Sequence, residues 1–488
     1  MDDGGLTLFR ASGGGRPLYF STAVEGAVFV GSELEPLARM TGARAHPTSL
    51  ARHFAEWPER GSVAICPLDR VSCLSVNEKV RVGGGSCVRA LAGERRVEAR
   101  AGSSAGALAD ELWLQIRAAV RRSIGGSERV AVLVSGGLDS SGLVAALLEE
   151  GREVLPITLD FACTGDDRPH VRALEQAFGL EVVRLEPTQA RGLCREVFVA
   201  DAAPILHGSA PFELLFSRTA EALGADVLLT GVGGDDVLAG DFRAFAGEFR
   251  GRPLATLARL LTLQLPWPMG ARQRLQHYLF EPLLGGTPLV APIRRRRALR
   301  YKANFPFAGP ELREVLEEAG EGSVHRQKEP ASPTERFHAI ADAAWTGDIA
   351  TRRAQIEALS KIPRRDPFMD PDLLAFAAAL PVSVLQRGGW HRGLYRAALA
   401  GRVPESIRMR RDKGRFEPAL AALFSAEGGL DAFPELLRME AMGALGLVEP
   451  EAFRRWTDAL RPLGALDSDQ VWTLFRALSL EAFARRFS

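Results

Sequence analysis

The segment Val132-Leu-Val-Ser-Gly-Gly-Leu-Asp-Ser-Ser141 leaves few choices for the chain around it. Residues 130–134 form a short β-branched, apolar run that reads as a buried strand. The turn Ser135-Gly136-Gly137 follows, then a helix with Leu143, Val144, Leu147 and Leu148 on one side. Two glycines between a strand and a helix let the backbone approach an anion closely, with several N–H groups pointing at it. The helix N-terminus adds positive potential, so the corner from Val134 to Ser141 suits phosphate. No Lys follows the glycines and no GxGxxG is present, unlike the common P-loop and dinucleotide fingerprints. A plain glycine turn explains Gly136 and Gly137 but not Ser135, Asp139, Ser140 and Ser141 together.

The pattern repeats downstream as strand 153–159, helix 170–178, strand 181–185, helices through 190–223 and strand 226–230. Apolar, turn-bounded strands alternating with helices predict an α/β fold with a parallel sheet covered on both faces. Ligands in such sheets bind at the carboxyl ends of the strands. Thr158 and Leu159 close strand 153–159 at that edge, and Thr230 closes the last strand there. A second glycine loop follows, Gly231-Val232-Gly233-Gly234-Asp235-Asp236, ending at Gly240. Magnesium takes oxygen ligands, usually one or two carboxylates plus phosphate oxygens, and Asp139 and Asp235 would supply those two. The competing reading of Asp235 is an Asx-type helix cap.

The flanks read differently. Residues 6–100 predict short strands at Leu6–Ala11, Pro17–Ser21, Ala27–Val30 and around Val71–Val82, with short helices near 33–40 and 48–56. A glycine-rich and Arg/Glu-rich stretch then leads to a polar joint at Ala101–Ser104. From the joint a helix runs to about Arg122, with Leu108, Leu112, Ile116 and Val120 on one stripe. Beyond about residue 240 no strands are expected, only helices separated by Pro and Gly. This divides the chain into 1–102 and 103–488, with 240–345 as a mainly helical insertion.

Composition excludes several classes. Of 488 residues, 46% are apolar and 25% charged, the balance of a folded globular protein. A formal net charge of +1 gives no general attraction to nucleic acid or an acidic membrane. No run of 18 apolar residues occurs; the best candidate, 254–266, carries Arg259. Five cysteines form no CxxC pair and no ligand spacing with the eight histidines, so neither zinc nor a disulfide framework is expected. The odd count suits a reducing cytoplasm, and the start lacks the regions of a signal peptide.

The remaining polar clusters carry less information. Arg411-Asp412-Lys413-Gly414-Arg415-Phe416 is a basic loop after a helix at 392–400 and Pro404. Lys413 could neutralise charge on phosphates or a tetrahedral intermediate, although a solvated charge run is the usual reading of such a segment. Arg365-Asp366-Pro367-Phe368-Met369-Asp370 fixes a turn between helices, with Arg365 a candidate for the site and Asp370 a helix cap. Arg294–Arg297 with Arg300 and Lys302 read as a solvated face, Trp345 and Trp390 as core, and His170 and His207 as structural.

Together these blocks resemble the asparagine synthetase superfamily. Ser135–Ser141 matches its ATP-pyrophosphatase loop, SGGxDS, and Thr230–Gly240 its second loop, with Asp236 in place of the usual Glu. Arg365-x-Pro367-Phe368-x-Asp370 matches its R-x-P-F-x-D block. Arg392–Arg396, Pro404 and Lys413 resemble its K-x-x-L-R…P…R-x-K-x-x-F ending, with Arg392 for the first Lys. Pro363 stands where the family has a Glu, so no acid/base role carries over to that position.

The resemblance implies an ATP-pyrophosphatase (adenine-nucleotide α-hydrolase-like) synthetase domain using ATP and Mg2+, with Asp139 and Asp235 on the metal. It implies nucleotide contacts from Val134, Ser135, Gly136, Gly137, Leu138, Asp139, Ser140, Ser141, Thr158, Leu159, Thr230, Gly231, Gly233, Gly234 and Lys413. Lys413, Asp139 and Asp235 would act in catalysis, with Arg365 and Asp236 in support. The segment Leu8–Leu37 resembles the middle of the family's glutaminase domain, and Asp2 replaces the Cys that follows the initiator Met, which implies a truncated, inactive glutaminase-like β-rich domain.

Such remnants are typical of lasso peptide cyclases, and Asp166–His170 and the Gly233-Gly234-Asp235 form of the second loop also look closer to that branch. The implied reaction is macrolactam formation on a leaderless precursor peptide, through an Asp or Glu side-chain adenylate. A leader peptidase and a leader-recognition protein would be the partners. Alternatives left open are an asparagine- or β-lactam-synthetase-like ligase on a small substrate, and a peptide-binding scaffold without catalysis. A tRNA-modifying pyrophosphatase would explain the first loop but not the second, and the neutral charge counts against it.

Overall fold

The computed structural model describes residues 6–488 except 11–15, 23, 25–26, 56–64, 84–85, 92–94, 101–103, 164, 201–202, 241–243, 285–286, 288–290, 323–331, 342–343 and 461–467. Asp2, most of the joint at 101–104, and the side chains of Arg294, Arg297 and Trp345 therefore lie outside the described residues.

Eleven strands are described: β1 (Leu6–Arg10), β2 (Tyr19–Ser21), β3 (Phe29–Gly31), β4 (Ser72–Cys73), β5 (Glu78–Gly83), β6 (Ser86–Leu91), β7 (Arg129–Leu133), β8 (Glu153–Leu159), β9 (Val183–Leu185), β10 (Val227–Leu229) and β11 (Arg364–Arg365). The last five form one parallel sheet in the order β11-β10-β7-β8-β9. The order reverses at β7, so the turns after β7 and β10 meet at a switch point on the carboxyl edge. The expectation of no strand beyond 240 is corrected by β11. Its two residues have no hydropathy signature, and they become a strand only because Leu228 and Leu229 pair with them. β6 corrects the expectation of an irregular polar stretch there; its ladder with β5 runs from Glu78↔Leu91 to Gly83↔Ser86.

Residues of β7, β8 and β10 divide between two different cores, as a sheet covered on both faces requires. Ala131, Ile157, Leu185 and Leu228 face Phe212, Val197 and Ile205. Val130, Val132, Val227 and Leu229 face Leu143, Val144 and Leu147 of the helix Leu138–Glu149. The long helix Ala105–Ile124 covers this second face through Leu108, Leu112, Ile116 and Val120, none more than 7% exposed. Burying four such side chains contributes about 1.5–3 kcal/mol each.

The N-terminal region is β-rich. Sheets β1-β5-β6 and β3-β2-β4 are antiparallel, and the helices Leu34–Thr41 and Pro47–Phe54 lie between their strands in sequence. This region shares its core with the helical C-terminal part. Phe54 meets Phe305 edge-on at 5.3 Å and stacks on Phe307 at 6.0 Å, and Ala45 N–H donates to Phe487 O at 2.8 Å. Residues 244–341 are helical wherever a regular element is described. No described helix is long and apolar enough to cross a membrane.

Candidate nucleotide site

The first loop is built around glycines at positions where a side chain would not fit. Gly136 has φ +59°, and a Cβ there would lie 2.4 Å from His170 Cβ at the start of the helix Arg168–Phe178. Gly137 precedes the helix Leu138–Glu149, which places Asp139 in its first turn. Ser135 N–H donates to Ser140 Oγ at 3.3 Å, closing the loop on itself. Ser141 Oγ is buried and has no partner among the described residues. Val134 N–H donates to Ile157 O at 2.9 Å, which sets the loop beside the buried Thr158, with Leu159 next along β8.

The second loop approaches from β10. Thr230 is buried, and its hydroxyl donates to Asp366 Oδ1. Gly233, at φ +92°, packs on Met369 Sδ, and the short helix Gly234–Ala239 starts with Asp235 and Asp236. Gly231 and Gly234 lie directly against Asp139: a Cβ on Gly234 would be 2.2 Å from Asp139 Oδ1, and one on Gly231 2.9 Å from Asp139 Cβ. The two glycine loops are therefore in van der Waals contact through one carboxylate. Gly234→Ala must push Asp139 aside. Because an ångström of misplacement can cost about 100-fold, ATP–pyrophosphate exchange should fall by about that factor while the circular dichroism spectrum is retained.

Two cations complete the arrangement. Arg392 Nη1 alone bonds Asp139 Oδ1 at 2.9 Å, Asp139 Oδ2 at 2.8 Å and Asp235 Oδ1 at 2.9 Å. Lys413 Nζ donates to Asp235 Oδ2 at 2.6 Å. The Arg392 side chain is 4% exposed and its Nε has no partner among the described residues, whereas Lys413 is 75% exposed. Burial raises the Asp139 carboxyl against the pull of Arg392. Burial opposes ionisation of Asp235 too, but Arg392 and Lys413 more than offset it and draw the carboxyl down to about 2. Desolvation and the neighbouring Asp235 push Asp236 up to about 6, and burial followed by the Arg392 charge takes His391 down to about 3.

Arg410 ties the Lys413 loop to the first loop. Its buried guanidinium donates to Ser135 O at 3.1 Å, Gly136 O at 3.3 Å, Gly165 O at 2.9 Å and Asp167 Oδ1 at 2.8 Å. Gly165, at φ +77°, lies so close to Lys413 O that a Cβ would approach it to 2.4 Å. Nothing in the basic run 408–415 distinguishes Arg410 from its neighbours. The one sequence signal for Arg392 is its place in the K-x-x-L-R block.

The other candidates fall elsewhere. Arg365 turns to Glu357 Oε1 at 3.0 Å and to its neighbour's carbonyl, Arg364 O, at 2.7 Å, and Asp370 caps the helix Pro371–Ala379. Asp236 stays beside Asp235 in the first turn of the helix Gly234–Ala239, at the solvent-facing rim of the cluster. Trp390, expected in the core, is half-buried, with Arg396 and Arg411 each 5.1 Å from its ring centroid. His207 lies 4.8 Å from the Trp472 ring with the two planes tilted by 51°, and Arg295, Arg296 and Arg300 are exposed.

The donor set of Asp139 and Asp235 fits a hard divalent cation. Oxygens of both carboxylates already converge on a single nitrogen of a cationic guanidinium, Arg392 Nη1. Among the described residues no group of three or more His, Cys, Asp or Glu side chains is placed to hold a metal, so these two would act with phosphate oxygens.

Curated proteins give no match. Among solved structures, the chain is similar to the NH3-dependent NAD synthetase from Campylobacter jejuni subsp. jejuni in complex with the nitrate ion. Identity is 15%, coverage 47% of this chain and 98% of that chain, and the TM-score 0.20. The family model of asparagine synthase matches residues 111–485, a span that holds both glycine loops, Arg392 and Lys413. The chain belongs to the asparagine synthase family.

Proposed function

We propose that this protein closes a macrolactam on a ribosomal peptide, as a lasso peptide cyclase does. The family makes it an ATP-dependent amide-forming ligase. The observation that carries the reading at that level is the meeting of the two glycine loops on Asp139 and Asp235, with Lys413 bonded to Asp235.

A side-chain carboxylate oxygen of the peptide attacks the α-phosphorus of ATP and pyrophosphate leaves. The peptide's N-terminal amine then attacks the acyl carbon of the adenylate, loses a proton and expels AMP. The loop Ser135–Ser141 supplies backbone N–H groups for the departing pyrophosphate, with the helix N-terminus behind it. Asp139 and Asp235 would hold magnesium, which when bound screens the phosphate charges. Lys413, at the open side of the cluster, would stabilise negative charge on the oxygen of the tetrahedral intermediate. Holding amine and acyl group in one chain supplies much of the rate, since positioning can be worth about 7–11 kcal/mol.

Incubation with ATP, magnesium and a candidate leaderless precursor, read by mass spectrometry, tests the proposal. A peptide lighter by one water and resistant to N-terminal labelling is expected. Asparagine or a small lactam as the product would refute the peptide assignment. Lys413→Ala should lower turnover by roughly 100-fold, more than it lowers ATP affinity; an unaltered turnover number would return Lys413 to a solvated loop.

A further inference from the structure

Arg392 occupies a costly conformation for a buried cation. Its φ is +56°, in the left-handed region, just before the helix Gly393–Ala398. Non-glycine residues rarely persist there unless their surroundings hold them. The surroundings do so on several sides. A Cβ on Gly393 would fall 1.9 Å from Arg387 O, so the backbone is pressed into place. Tyr395 lies under the guanidinium at 5.6 Å and donates its hydroxyl to Leu138 O at 3.2 Å, beside Asp139. The guanidinium is thus locked between the two loops, with one nitrogen shared by both carboxylates.

The cluster is also balanced in charge. Asp139 and Asp235 face Arg392 and Lys413, two acids against two bases. A divalent cation arriving alone meets two carboxylates that their bonded cations already neutralise. To take both carboxylates it must also strip them from a guanidinium that is too buried to find water instead. A nucleotide triphosphate changes this, because its phosphate oxygens offer new acceptors to Arg392 and Lys413 as the carboxylates are withdrawn.

We propose that Arg392 is a positioning residue that stands in for the divalent ion, pairing Asp139 with Asp235 in the nucleotide-free protein and barring the metal until nucleotide accompanies it. Arg392 and Lys413 then exchange carboxylate for phosphate partners as nucleotide binds. This rests on the ATP-ligase reading above for the identity of the anion, but not for the charge balance itself.

The test titrates the full-length protein with Mn2+ alone and follows free Mn2+ by electron paramagnetic resonance. Arg392→Met should bind Mn2+ at least tenfold more tightly than the wild type, and Arg392→Lys should stay close to the wild type. Equal or weaker binding by Arg392→Met would overturn the proposal. Thermal unfolding shows whether each variant is folded. A second arm needs no variant: adding α,β-methylene-ATP should tighten Mn2+ binding to the wild type at least tenfold, and tight binding of Mn2+ without nucleotide would overturn the proposal. Failure of the wild type to bind the nucleotide in the presence of Mg2+ would instead refute the ATP-ligase reading, with the metal-only comparison still standing.

Discussion

Asp139→Asn is expected to lower ATP–pyrophosphate exchange by about 10²–10³-fold. The substitution keeps the shape of the side chain between Gly231 and Gly234 but removes the charge that faces Arg392. It also turns an NH2 group toward one of the positions where Arg392 Nη1 now finds an oxygen. Arg392 retains Asp235, so the loss of stability should be about 2 kcal/mol, the scale of a hydrogen bond to a charged group, not that of an orphaned buried ion. Exchange assays and urea denaturation on the same preparation separate the two effects. Near-normal exchange would remove Asp139 from the reaction and with it the assignment of the cluster.

Glu213→Gln should have the largest effect on stability, about 3–5 kcal/mol by denaturant unfolding. Glu213, on the helix Ala210–Ala222, holds Arg364 of β11 at 2.7 Å and Arg352 of the helix Ala344–Ser360 at 3.0 Å, and accepts from Ser209 Oγ at 2.5 Å. The side chains of Glu213, Arg352 and Arg364 are 13%, 10% and 6% exposed, so neutralising the acid removes the negative charge that these two buried cations share. The pH dependence has a definite sign. Burial alone raises the Glu213 carboxyl, but Arg352 and Arg364 reverse this and hold it far below the ordinary glutamate range. A depressed carboxyl contributes stability that is complete above its unfolded value, about 4.3, and is lost as pH falls toward the folded value. The gap between wild type and variant should therefore be full at pH 7 and close in acid. A gap that widened below about pH 4, where the free carboxyl takes up its proton, would show that the ion pairs do not carry it.

Both results bear on how the sheet edge is assembled. Arg364 anchors β11, and the same turn sends Asp366 back to Thr230 and Arg353, with Arg353 Nη1 at 3.0 Å from Asp366 Oδ2. The sheet edge next to the second loop thus depends on ion pairs that lie beneath the site and outside the chemistry.

The long apolar strands and the glycine loops are legible in the sequence alone. β7, β8 and β10 sit within a residue of their expected positions, because β-branched runs ending at Gly or Asp leave little choice of register. The pairing of Asp139 with Asp235 is also legible, since parallel strands that each end in a glycine turn deliver those turns to one edge. β11 and β6 are not. A two-residue strand of arginines and a charged hairpin partner owe their conformation to the strands beside them, and a partner across the sheet leaves no periodicity in a local window.

Local chemistry along the chain is thus enough to specify a parallel α/β sheet, two anion-cradling turns and the carboxylates they carry, because glycine freedom, β-branching and helix polarity act over a few residues. Which cations face those carboxylates cannot be read that way. Arg392 and Lys413 lie 253 and 178 residues from the aspartates they bond, and Arg410 lies 275 residues from the loop carbonyl it braces. Many arginines compete for such roles in this chain. Only the packing of Gly393 against Arg387, Tyr395 against Leu138 and Gly165 against Lys413 selects among them, and those contacts exist only once the backbone has folded.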